Sequence, residues 1–117
     1  VPQGRMLRLL ALNFALVTSA TAANRRVHLV IQPAGNPMIN VFSSIDQTAS
    51  LTRFYSFAHH GGKLSEGDDN DISINIPDNI LLDENSSIAT ETLNLQVGDN
   101  YTQPNIFVEE FFRTEIP

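Results

Sequence analysis

Adjacent histidines, His59 and His60, stand shortly before Asp68, Asp69 and Asp71 in the stretch FAHHGGKLSEGDDND, and these are residue types that hold divalent cations. Zinc needs three or four ligands converging on one point. Neighbouring side chains of an extended chain point to opposite faces, so His59 and His60 do not readily grip one ion, and His28 belongs to a separate segment. A calcium loop of the EF-hand type needs alternating acids followed by a glycine turn and a late glutamate. Counted from Asp69, the chain supplies Asp69, Asp71 and Ser73 but no such turn. Asp68, Asp69 and Asp71 offer oxygens for a looser calcium site. The preferred reading of residues 65–71 is a solvated acidic loop, with no metal.

Glu109 and Glu110 raise glycosidase chemistry, which needs two carboxylates facing one bond across a cleft. On a strand they face opposite ways, one of them beside Ile106 and Val108, and form no pair. No Gly-x-Ser-x-Gly elbow, phosphate-binding loop or dinucleotide fingerprint occurs in the chain. The expectation is therefore no enzyme, no catalytic residue and no cofactor. Asn85 and Asn100 fit the glycosylation acceptor triplet, which matters only on a eukaryotic secretory route.

The elements that would position these residues read as short alternating segments broken by turn residues. Asp71, Ser73 and Asn75 alternate with Ile72, Ile74 and Ile76, and Pro77 stops the run. Val27, Leu29 and Ile31 alternate with His28, expected on the solvent side, and Val30. Further strands are expected near residues 38–45, 51–57, 88–95 and 106–112, with turns at DNILLDENSS and QVGDNYTQP.

The segment RMLRLLALNFALVTSATAA imitates a secretory signal, but Asn13 interrupts its apolar run. That run is also too short to span a bilayer. The expectation is a long strand with Leu10, Leu12, Phe14 and Leu16 on one face; a helix is the alternative. Leu7 and Leu9 are out of phase with that set, which predicts a bulge near Leu9 and Leu10. Seven or eight strands in 117 residues, 42% hydrophobic, predict a single all-β domain over 1–117, an antiparallel two-sheet β-sandwich of jelly-roll-like kind.

The chain has no cysteine, so packing alone, or packing against copies or partners, must hold it, and its net charge of -6 argues against general nucleic-acid binding. Residues 1–45 hold Arg5, Arg8, Arg25 and Arg26 and no acid, while every Asp and Glu lies from Asp46 onward. Either the loops merely differ in charge, or basic and acidic parts meet across subunits and fix their register.

VPQG leading into LLALNFALVTSATAANRRVHLVI, then ASLTRFYSF, DISINIPDNILL and TLNLQVGDNYTQPNIFVEEF resemble, in that order, small proteins encoded in the structural gene blocks of tailed bacteriophages. The most specific parts are VTSATAANRRV and NLQVGDNYTQPNIFVEE. A Pro-x-Gly turn after ILL and a Trp at the place of Tyr101 are expected of such relatives, and this chain departs from both. The resemblance implies a virion component, foremost a capsid decoration or cement protein on the outer surface of the head. Its implied partners are the major capsid protein and its own copies, as a homotrimer, after assembly in the bacterial cytoplasm, with no membrane and no nucleic acid. Phe54, Phe107 and Phe111 are candidates either for the oligomer surface or for the core. The alternatives are a neck, tail or fibre domain, or a carbohydrate-binding β-sandwich module with Tyr55 or Tyr101 stacking on sugar.

Overall fold

A computed structural model describes residues 1, 3–33, 37–59 and 70–112. Eight strands and no helix make up the described chain: β1 Arg5–Val17, β2 Arg26–Gln32, β3 Ile39–Phe42, β4 Thr52–Ala58, β5 Asp71–Asn75, β6 Leu81–Leu82, β7 Ser87–Leu93 and β8 Asn100–Phe112. They form a β-sandwich of a five-stranded and a three-stranded sheet. No helix is long and apolar enough to cross a membrane among the described residues.

The larger sheet is organised by β1. One edge of β1 pairs with β4 through Ala11–Val17 and with β6 through Leu7 and Arg8, while β8 runs along the other edge from Arg5 to Val17. The predicted bulge is present: the β1/β8 register shifts between Leu9 and Ala11, so Leu10 is the extra residue. Leu10 therefore leaves the inward set expected for it, and the core face reads Leu7, Leu9, Leu12, Phe14, Leu16. A second shift places Gln103 and Pro104 of β8 opposite Phe14 alone. The two bulges lie on opposite strands and cancel, so both ends of the ladder share one register.

The smaller sheet runs β3-β2-β7, all antiparallel. Val27, Leu29 and Ile31 of β2 face Leu9, Phe14, Leu16, Tyr55 and Phe57 of the larger sheet in one buried cluster. Each such side chain contributes about 1.5–3 kcal/mol of burial. His28 lies on the other face of β2, as alternation requires, but is only 4% exposed because Phe42 stacks on its ring at 4.4 Å and Glu91 flanks it.

One pairing departs from the antiparallel pattern: β4 and β5 are parallel, Phe54 opposite Asp71 and Ala58 opposite Asn75. A parallel pair needs a crossover of about a dozen residues, whereas a hairpin needs only two. The length of the His/Gly/Asp stretch, long for a hairpin, follows from that pairing. The strand expected at 106–112 begins six residues earlier, since QVGDNYTQP contains both a turn and the first half of β8. Pro104 is tolerated there because it sits at a bulge on an edge strand.

Candidate binding surface

The residues singled out for chemistry do not converge. His59 Nδ1 lies 3.2 Å from Asp78 Oδ1, and His28 Nε2 lies 3.3 Å from Glu91 Oε2 on the other sheet. His60, Asp68 and Asp69 lie outside the described residues, as does most of the acidic loop 65–71. Among the described residues, no group of three His, Asp or Glu side chains could hold a metal ion. Glu109 and Glu110 face opposite sides of β8, both exposed. Glu109 lies 3.5 Å from Arg8 and Glu110 lies 3.1 Å from Arg5. Neither is buried beside Ile106 and Val108, which are themselves exposed.

The two charge groups of the sequence meet within one chain. Arg5, Arg8, Arg25 and Arg26 pair with Glu110, Glu109, Asp99 and Asp46. The Arg25–Asp99 pair is wholly buried: Arg25 Nε donates to Asp99 Oδ2 at 2.9 Å, and Nη2 donates to Oδ1 at 3.1 Å. Asp99 also accepts from the backbone N–H groups of Ser19 and Gln96, both at 2.8 Å. Burial by itself would raise the Asp99 carboxyl; the Arg25 guanidinium and these N–H donors outweigh it and hold the group well below the usual carboxylate range. A second network joins β4 to the same corner. Tyr55 Oη donates to Gln47 Oε1 at 2.8 Å, and Gln47 Nε2 donates to the carbonyls of Leu16 and Leu51. These polar groups are fully partnered with one another and hold the loops in place.

Tyr55 and Tyr101 do not form a sugar-stacking surface. Tyr55 is buried in the core, and Tyr101 packs edge-on to Phe14 with its hydroxyl hydrogen-bonded to Thr92. Burial raises both phenols above their ordinary value.

The longest exposed apolar stretch among the described residues is on β8. Among the described residues no strand pairs with its second edge, and its outer half carries exposed apolar side chains on both faces. Ile106, Val108 and Phe112 share one face, and Phe107 and Phe111 the other, with Ile106 52% and Phe107 53% exposed. Arg5 lies over the Phe112 ring at 3.9 Å and Arg8 over Phe111 at 5.1 Å, so each face ends in an Arg, Glu and Phe group. On the same side of the sandwich the second edge of β7 is also unpaired among the described residues. Between β7 and β8 lies a cleft of about 530 Å³ lined by Leu12, Ile88, Tyr101 and Ile106. Sequence reading missed this surface because Asn100–Asn105 looked like a turn; alternation continued through both bulges would have revealed it.

No family model, curated protein or solved structure matches this chain.

Proposed function

We propose that this chain is a virion structural protein of a tailed bacteriophage, a decoration protein that stabilises the outer surface of the head by binding major capsid protein subunits and its own copies. One observation carries the reading: a strand of 13 residues, with exposed apolar side chains on both faces of its outer half beside Glu109 and Glu110, has its second edge unpaired among the described residues and borders a largely apolar cleft. Monomeric proteins shorten, bulge or cover such edges because they recruit other chains. Here the apolar residues fall where an added strand would be bordered by β7 and β8, and a neighbour's strand would close the open side of the sandwich. The resemblance of the segments around β1 and β8 to phage structural-block proteins supports the virion assignment. A protein without cysteine suits assembly in a reducing cytoplasm. Self-association through a heterologous contact that closes as a trimer is the form proposed.

Imaging purified particles with and without the protein is the test. Density on the outer surface of the head, lost when the gene is deleted, is the expected result. Density in the neck, tail or fibres, or absence from the particle, rejects the decoration role.

A further inference from the structure

The outer face of the larger sheet carries a second surface of different chemistry. Ser73 of β5, Ser56 of β4, Asn13 of β1 and Asn105 of β8 are direct cross-strand neighbours, so four small neutral polar side chains form one line across the sheet. Ser56 Oγ donates to Asn13 Oδ1 at 2.8 Å, which turns the Asn13 amide nitrogen into the available donor of that pair. The rows on either side are low where they cross β1, at Ala15 and Ala11. They rise at Phe54 on one flank and Phe107 on the other, with Asp71 beside Phe54. Phe54 is 45% exposed in the interior of a sheet, with no covering element among the described residues. Asn13, Ser56, Ser73, Phe54, Asp71 and Asn105 line a depression of about 290 Å³.

We infer that this depression binds a neutral hexopyranose unit of a glycan. A sugar ring presents an apolar C–H face, which an exposed aromatic ring covers, and a rim of hydroxyls that need both donors and acceptors. Phe54 supplies the ring, and the amides and hydroxyls of the row supply both kinds of partner. The Asp71 carboxylate adds an acceptor for a pair of neighbouring hydroxyls. Among the described residues no Lys or Arg lines the depression, so a phosphate or sulfate would find no counter-charge there, and Asp71 would repel it. The volume lies near the lower limit of small-molecule sites, about 300 Å³, and suits one sugar unit on an open face. This site opens on the outer face of the larger sheet around Phe54, Ser56 and Ser73 of β4 and β5, toward the edge opposite the β7/β8 cleft; Asn105 borders both.

The test is a two-dimensional amide NMR titration of the full chain with glucose, galactose, mannose, N-acetylglucosamine and, as the acidic comparison, galacturonic acid. The expected result is shifts confined to Asn13, Ser56, Ser73, Asn105 and their neighbours with at least one neutral sugar. Phe54→Ala and Asn13→Ala should each weaken that binding about tenfold or more, equal to roughly 1.4 kcal/mol. Both variants should keep the native spectrum elsewhere, since Phe54 is exposed and Asn13 lies on the outer face. Ser73→Ala serves as a milder variant should Asn13→Ala lose its fold. Absence of shifts with every neutral sugar, preference for galacturonic acid, or unchanged binding in Phe54→Ala would overturn the assignment.

Discussion

Arg25 and Asp99 face each other through two hydrogen bonds, 2.9 and 3.1 Å, with both side chains entirely out of solvent. The pair ties the start of β2 to the turn before β8, and through Ser19 it holds the end of β1. Removing one partner strands a buried charge, which costs about 3–5 kcal/mol. Asp99→Asn should therefore lower the denaturant midpoint sharply. Since the folded carboxyl titrates below its unfolded value, its contribution is complete above about pH 4, the ordinary carboxylate range, and is lost as pH falls toward the folded value. Urea unfolding at stepped pH checks this: the wild type should weaken on acidification by more than Asp99→Asn does.

The Arg8–Glu109 pair gives the opposite expectation. Both side chains are substantially exposed and 3.5 Å apart, so solvent screens them. A double-mutant cycle of Arg8→Ala and Glu109→Ala should return a coupling of about 0–1 kcal/mol. A larger value would mean that this end of the ladder is less solvated than its exposure indicates.

Gly98 is required by the same corner. Its φ is +91°, and an added Cβ would stand 3.2 Å from the Cβ of Ser19, whose N–H donates to Asp99. Gly98→Ala combines an unfavourable backbone with a displaced partner and should cost about 1–3 kcal/mol. A thermal melt equal to wild type would show that the turn relaxes without disturbing the ion pair.

Period-2 alternation carried most of the fold. Ile72 and Ile74, and Val27, Leu29 and Ile31, lie on the faces expected of them, and the phase slip near Leu9 and Leu10 correctly located the β1 bulge. Alternation is silent on which strands pair, so the parallel β4/β5 pairing was not legible, although the length of the connection after Phe57 was its trace. At Gln103 and Pro104 turn chemistry and strand chemistry look alike, because a bulge uses the same positive φ and the same proline as a turn. The separation of basic from acidic residues was visible at once, yet its resolution within one chain is a long-range fact: Arg5 and Arg8 meet their partners because β1 and β8 lie side by side, and Arg25 and Arg26 meet Asp99 and Asp46 across loops. The polar row across β5, β4, β1 and β8 was likewise invisible, since its four members come from four distant segments.

Tyr55 Oη and Gln47 Oε1 form a buried hydrogen bond of 2.8 Å. Tyr55→Phe removes the donor and leaves the Gln47 carbonyl oxygen in a site with no solvent, which costs about 1–3 kcal/mol. The ring packing against Phe14 is preserved in that variant, so the loss isolates the hydroxyl. Chemical denaturation should show a lower midpoint with an unchanged slope.

Ile106 distinguishes an assembly surface from an ordinary exposed strand. It lines the β7/β8 cleft yet is half exposed, so Ile106→Lys introduces a charge without emptying the core. If copies associate across this cleft, the lysine must be desolvated in the interface, at a cost no neighbouring acid on the inner face of β7 offsets; the residues there are Ile88, Thr90 and Thr92. Sedimentation of the wild type should then show an oligomer at micromolar concentration, and Ile106→Lys a monomer with a melting temperature set by the monomer alone. A wild type that stays monomeric would reject self-association of the chain, and an oligomer indifferent to the lysine would place the self-contact elsewhere on the sandwich.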